Sequence, residues 1–317
     1  MAKKGSTKGH ATRKGRTNAK AKARGTKKGG VGPTPRVMDK DREIKAMVRD
    51  GYAQIAKAGG PCCGPKAVAK RSCGCGGTGV DISRAVGYTS DDLKAIPDGA
   101  DLGLGCGNPV ALASLKEGET VLDLGSGAGI DCFLASKKVG PNGKVIGVDM
   151  TPEMVEKARW NADKGGHTNI EFRLGEIEHL PVEDRSVDII ISNCVINLCP
   201  DKVNAFREAF RVLRPGGRLM VSDLVLTAPL PPEVRGSISA YVGCIAGAML
   251  RDEYLGAIRR AGFDDVEVIE EASYPIDMVG DSTIAKAMAE ELGVPVEKLA
   301  KIASSVKSIK VRGLRKG

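Results

Sequence analysis

The run Thr120-Val121-Leu122-Asp123-Leu124 passes without a break into Gly125-Ser126-Gly127-Ala128-Gly129, and no other stretch of the chain limits the fold so sharply. A short continuous apolar run suits a strand buried on both faces. The glycines after it let the backbone turn tightly and pass close to a ligand. The predicted helix that follows, Ile130 to Lys138, presents unpaired N–H groups to that ligand. The alternation then repeats: Lys144 to Asp149 reads as a second strand, Pro152 to Lys164 as a helix, Ile170 to Leu174 as a third strand. Val187 to Cys194 reads as a fourth strand and Asp201 to Leu213 as a helix, with Pro215-Gly216-Gly217 turning into a fifth strand, Arg218 to Val225. After an insertion come a helix at Arg251 to Ala261, a strand at Val266 to Glu271, helical stretches at Ile284 to Leu292 and Val296 to Val306, and a last strand at Ser308 to Leu314. Strands alternating with helices predict a mostly parallel α/β sheet of seven strands with helices on both faces.

Upstream, Asp39 to Ala58 carries Ile44, Met47, Val48, Tyr52 and Ile55 at helical spacing until Gly59-Gly60-Pro61 ends the pattern. Pro61 to Gly79 reads as a loop whose order depends on what its four cysteines bind, and a short helix follows at Ser90 to Ala95. The chain divides into a disordered basic tail (1–35), a helix and cysteine-rich segment (36–111), a ligand-binding core (112–226), and an insertion with the C-terminal completion of the sheet (227–317).

The formal charge of +9 suggests a nucleic-acid partner until it is located. Residues 1–30 hold eleven Lys and Arg and no acid, and the remainder, with 37 basic against 39 acidic residues, is at −2. The tail has no apolar period, so it is expected to be disordered, and no aromatics are interleaved for base stacking. Weak, nonspecific polyanion contact is the expectation for it. With neither a run of apolar residues long enough for a membrane helix nor the apolar core of a secretory signal, the expected location is the cytoplasm and no membrane partner is expected. Nine cysteines in such a chain point to metal, metalloid or redox chemistry ahead of a disulfide framework.

The glycine turn excludes one familiar cofactor: a nicotinamide site would need Gly or Ala where Ile130 stands. Asp149 ends the second strand 24 residues after Gly125, where a carboxylate can accept hydrogen bonds from both ribose hydroxyls of a nucleotide. Together with Gly175-Glu176-Ile177-Glu178 and the turn at Pro215, this array resembles the class I S-adenosylmethionine-dependent methyltransferases from about Leu112 to Leu314. The resemblance implies a Rossmann-like fold with a substrate-binding insertion. It also implies a cofactor site of Asp123, Gly125, Ser126, Gly127, Gly129, Asp149, Met150, Ile177, Glu178 and Asn193, with adenine near Ile177 and Glu178.

In such a fold the methyl acceptor sits above the carboxyl ends of the strands. Cys194 ends the fourth strand, Cys106 lies in Gly105-Cys106-Gly107-Asn108-Pro109 on the approach to the first, and Cys244 lies in the insertion. Three thiolates on one point suit a soft, thiophilic ion. Trivalent arsenic takes three sulfurs pyramidally and keeps a lone pair that can attack a sulfonium methyl, so no general base is needed and catalysis is mainly positioning. That fits the three histidines: His10 lies in the tail, and His167 and His179 are expected on loops.

The segments around Cys106, Cys194 and Cys244, with the Cys62-Cys63 pair, narrow the resemblance to the arsenite methyltransferases, over nearly everything beyond Lys40. That family implies methyl transfer from S-adenosylmethionine to arsenite or its thiol conjugates, with Cys194 and Cys244 holding arsenic throughout and Cys106 a third ligand. It also implies that Cys62 or Cys63 closes a disulfide with Cys106 during turnover, thioredoxin or glutathione then restoring the thiols. Cys132 reads as a core or helix-face residue, and Cys199 as packing or support. Cys62, Cys63, Cys73 and Cys75 could form a zinc site, but they lack the paired C-x2-C spacing of common zinc modules. Competing readings are a methyltransferase of a small organic nucleophile, an RNA methyltransferase guided by the tail, and a thiol-based metalloid sensor.

Overall fold

The computed structural model describes residues 35–58, 83–109, 113–273, 293, 295, 302 and 304–317. Helix α1 (Pro35–Ala58) precedes a sheet of seven strands: β1 (Thr120–Leu124), β2 (Lys144–Asp149), β3 (Ile170–Leu174), β4 (Val187–Asn193), β5 (Leu213–Leu226), β6 (Asp264–Ser273) and β7 (Val306–Leu314). The crossovers are α2 (Ile130–Val139), α3 (Pro152–Gly165), α4 (Lys202–Val212) and α5 (Arg251–Arg260). The order across the sheet is β3-β2-β1-β4-β5-β7-β6. The first five strands run parallel, and β7 is antiparallel to both β5 and β6.

Alternation within the central strands divides two cores. Val121 of β1 and Ile189 and Ile191 of β4 pack towards Phe133 of α2 and Val155 and Ala158 of α3. Leu122, Leu124 and Ile190 pack on the opposite face with Phe206 of α4 and Tyr254 and Ile258 of α5. A period of two sends neighbouring side chains to opposite faces, so a strand covered on both sides has to be apolar throughout. The order reverses between β1 and β4, and a crevice opens outside the carboxyl ends of the strands at such a switch point.

Several boundaries differ from the sequence reading, beginning with α1, which starts at Pro35 rather than Asp39. β5 starts at Leu213 rather than Arg218, because Pro215-Gly216-Gly217 forms an irregularity inside the strand: Val187 pairs with Leu213, and the next partners are Ile189 and Arg218. Gly216 takes φ 80° there, open to glycine without penalty. β4 stops at Asn193, one residue short of Cys194, whose φ of 57° turns the chain out of the strand. The other strands stand where the sequence places them, with β6 and β7 each a few residues longer. The basic tail, Cys62, Cys63, Cys73, Cys75 and the stretch from Ile284 to Leu292 lie outside the described residues.

Candidate functional site

The glycine turn and the ends of β1, β2 and β4 border a crevice. The three glycines have separate jobs. A Cβ on Gly125 would collide with Val195, and one on Gly129 would fall 2.7 Å from Phe133, so these two allow close packing of loop on core. Gly127 meets nothing within 4 Å; its bare Cα faces open space where a ligand can approach. All three have positive φ.

Asp149 is fixed at the mouth of the same turn. The Gly127 N–H donates to its Oδ2 at 3.0 Å and the Thr151 N–H to its Oδ1 at 2.8 Å. Burial pushes this carboxyl up, opposed by those two N–H groups. Asp123, buried at the end of β1, is pushed well up by burial and by neighbouring Asp131, and accepts from the Cys132 thiol at 3.2 Å. Cys132 is therefore a buried partner of the turn, in keeping with its expected place in the core. Ser126 Oγ is buried with no hydrogen-bond partner among the described residues.

Ile177 and Glu178 line the far end of the crevice and are buried. There α1 lies across it: Lys45 Nζ stands 2.7 Å from Glu176 and 3.0 Å from Glu178. Val48 and Tyr52, from the same helix, line the crevice too. Met150 and Cys199 also line it. Asp101, Asp123, Asp131, Asp149 and Glu178 all line the crevice, and Lys45 is the one basic residue lining it among the described residues. Such a site favours a cationic ligand.

The thiols lie at the adjoining end of β4. Cys106, Cys194 and Cys244 are all buried and share one apolar cluster. The Cys244 thiol donates to Cys194 O at 2.9 Å, and Tyr52 Oη lies 4.0 Å from Cys244 Sγ. Cys106 and Cys194 are joined in a disulfide, with Cα atoms 5.8 Å apart. Cys62 and Cys63, expected to pair with Cys106 during turnover, lie outside the described residues, and in this form neither Cys106 nor Cys194 is an open ligand. The cause is local: the Cys106 N–H donates to Asn193 Oδ1 at 3.0 Å, which seats the glycine-rich approach beside the residue preceding Cys194.

Both Cys194 and Cys244 have left-handed backbones, φ 57° and 64°, in a group of only five non-glycine residues with positive φ among the described residues. Such conformations cost about 1–2 kcal/mol and persist where the surroundings impose them, often at functional sites. Burial pushes the Cys244 thiol up to about 12, with the Asp223 charge adding to it. Asp223 offers a carboxylate oxygen within 4.8 Å of the Cys106 and Cys194 sulfurs, and is itself pushed by burial to about 7. It accepts from Asn197 Nδ2 at 2.8 Å and from Tyr254 Oη at 3.2 Å. His167 and His179 lie on loops and do not line the crevice.

Sequence reading passed over Lys45, Tyr52, Tyr88, Asp131 and Asp223. Asp131 carried a signal, since it stands two residues beyond the glycine turn on the same helix end. Tyr52 belongs to the apolar stripe of α1, and a tyrosine on a buried stripe usually has a hydroxyl partner in the core. Nothing in the local sequence marks the other three.

The sheet order, glycine turn and carboxylate-ended β2 define a class I methyltransferase fold. A family model described as a methyltransferase domain matches residues 115–272. The arsenite methyltransferase of Halobacterium salinarum is 53% identical over 238 residues, 73% of this chain and 60% of that protein. The human arsenite methyltransferase is 33% identical over 234 residues, 71% of this chain and 59% of that protein. The crystal structure of an arsenic(III) S-adenosylmethionine methyltransferase from Chlamydomonas reinhardtii superposes with a TM-score of 0.54 at 33% identity, covering 74% of this chain and 73% of that one. The chain belongs to the arsenite methyltransferase family. It spans about three fifths of the length of these two curated relatives.

Proposed function

We propose that this protein methylates trivalent arsenic held by Cys106, Cys194 and Cys244, with S-adenosylmethionine as donor. The observation that carries the reading is the juxtaposition of buried Cys106 and Cys194 at the end of β4, with the Cys244 thiol 2.9 Å from Cys194 O in the same apolar cluster and Cys194 lining the crevice of the glycine turn. The cofactor fits the crevice on three counts: open space at Gly127, an unpartnered buried hydroxyl on Ser126, and an acidic lining suited to a cation. When bound, S-adenosylmethionine supplies an electrophilic methyl on a sulfonium whose sulfur keeps the electron pair as the methyl leaves. Asp149 is held by two N–H groups in an orientation suited to ribose hydroxyls, and Glu178 with Ile177 borders the adenine end. Met150 lines the same crevice.

Burial keeps the Cys244 thiol protonated, a state in which it can still react with arsenite. Arsenite arrives as a neutral trihydroxide, and each As–S bond forms as one thiol proton and one hydroxide leave together as water. No charge is stranded in the apolar cluster. The arsenic lone pair then acts as nucleophile, so the chain supplies placement and exclusion of water rather than a base.

Methyl transfer leaves arsenic formally two electrons more oxidised. Two thiols that return those electrons end as a disulfide, the state in which Cys106 and Cys194 stand. Two equivalents of thiol from thioredoxin or glutathione would reopen it by exchange, releasing the oxidised disulfide of the reductant, and Cys62 or Cys63 belongs to the proposal as the relay to Cys106. Cytoplasmic residence is part of the same proposal. No helix among the described residues is long and apolar enough to cross a membrane.

The test is incubation of reduced protein with arsenite, isotopically labelled S-adenosylmethionine and a thiol reductant, followed by arsenic speciation. Labelled methylarsenicals with matching S-adenosylhomocysteine are expected. Arsenic bound without any S-adenosylhomocysteine release would make the protein a sequestering or sensing device instead.

A further inference from the structure

We infer that Asn193 is the positioning residue for the third thiol, Cys106, and that Tyr88 and Asp131 hold Asn193 in the pose that does this. The inference rests on the arsenic reading above and deepens it. Asn193 is the last residue of β4 and directly precedes Cys194. Its Oδ1 accepts from the Cys106 N–H at 3.0 Å, and its Nδ2 lies 2.8 Å from Gly107 O. One amide therefore grips the chain on both sides of the Cys106 peptide unit. Its orientation is unambiguous, because oxygen faces a donor and nitrogen faces a carbonyl.

The amide nitrogen also lies 2.8 Å from Tyr88 Oη and 3.2 Å from Asp131 Oδ2, and Tyr88 Oη donates to Asp131 Oδ1 at 2.8 Å. Tyr88 and Asp131 are buried, so these bonds are made away from bulk water, where an unmet polar group is penalised. The glycine before Cys106 completes the fit: a Cβ on Gly105 would fall 2.6 Å from Asn193 Nδ2. Cys106 sits on a glycine-rich loop that has no regular secondary structure to place it. The clamp supplies that placement, and through Asp131 it reaches the end of α2 nearest the cofactor turn. The amide of Asn193 is thus spent on the Cys106 loop, which moves its role from the cofactor to the thiol site.

The test separates a three-thiol ligand from a two-thiol one. Arsenite takes three sulfurs, whereas phenylarsine oxide, already carrying one carbon, takes two. Asn193→Ala is expected to weaken arsenite binding about tenfold, the range typical for groups that orient a ligand. Binding of phenylarsine oxide and of S-adenosylmethionine should each stay within about twofold, and Cys106→Ser should show the same split. Tyr88→Phe, which keeps the ring and removes the hydroxyl, is expected to shift arsenite binding in the same direction by about threefold. A fall in S-adenosylmethionine affinity as large as that in arsenite affinity would overturn the assignment, and so would unchanged arsenite binding. If wild-type protein takes up neither arsenical, the arsenic reading fails, and Cys106 alkylation by iodoacetamide in reduced protein decides the clamp by itself. Asn193→Ala should then speed alkylation of Cys106 several-fold relative to Cys244, and an unchanged ratio would refute it.

Discussion

The glycine turn and the thiol cluster adjoin at the same end of the sheet, yet they are built by opposite means. The turn is local: five consecutive residues and the end of the neighbouring strand supply its geometry, and the positive φ of its three glycines needs no outside support. The thiol cluster is assembled from residues 106, 194 and 244, and two of its cysteines are held in left-handed conformations that disfavour any side chain. A ligand site made of backbone can be written in a short motif. A site made of converging side chains exists only after long-range packing has brought its parts together.

Five expected outcomes put that contrast at risk. The largest belongs to the thiols: Cys194→Ser or Cys244→Ser should lower arsenic methylation at least ~100-fold while S-adenosylmethionine affinity stays within about twofold, measured by speciation and by calorimetry. Loss of both together would merge the two regions into one. Within the turn, Gly129→Ala should destabilise the fold by about 2–4 kcal/mol, because φ 102° and contact with Phe133 act together. Gly127→Ala meets no neighbour and should cost about 1 kcal/mol in denaturant titrations, with its main loss in cofactor affinity.

How much of this was legible in the sequence follows the same division. The strands, the glycine turn, Asp149 and the end-of-strand position of Cys194 are encoded by residues close in the chain. Periodicity and turn chemistry therefore reach them. The extent of β5 was misjudged because Pro215-Gly216-Gly217 reads locally as a turn, whereas pairing of Leu213 with Val187 carries the strand through it. Lys45, Tyr88 and Asp223 were hidden for a different reason. Each is an ordinary residue in an ordinary local context, and its partners lie far away in the chain: Lys45 meets Glu176, Tyr88 meets Asp131 and Asn193, and Asp223 meets Tyr254. The disulfide between Cys106 and Cys194 was likewise beyond reach, since cysteine spacing does not report which segments a sheet brings side by side.

Helix α1 spans both regions, with Lys45 against Glu176 and Glu178 and Tyr52 against Cys244. Lys45→Met leaves Glu178 nearly buried without its cation, so cofactor affinity should fall about threefold to tenfold while arsenite binding to the reduced protein changes little. An equal loss at both sites would mean that α1 acts as one rigid cover. The smallest effect lies at Glu171 on β3, remote from both regions. Arg173 and then Lys144 hold its carboxyl down at about 2. A lowered folded-state pKa contributes stability above the unfolded value, near 4.3, and that stability is lost as pH falls towards 2. The Glu171 side chain is 44% exposed, so screening leaves the contribution under about 0.5 kcal/mol. Glu171→Gln should flatten the acid limb of the stability profile slightly and change no binding constant.

The proposed binding of arsenic by Cys106, Cys194 and Cys244 is tested most directly by X-ray absorption at the arsenic K-edge on reduced protein loaded with one equivalent of arsenite. Three sulfur neighbours are predicted in the wild type and two in Cys106→Ser. An arsenic atom that keeps its oxygen shell, or an unchanged sulfur count in that variant, would contradict a site built from these three thiols.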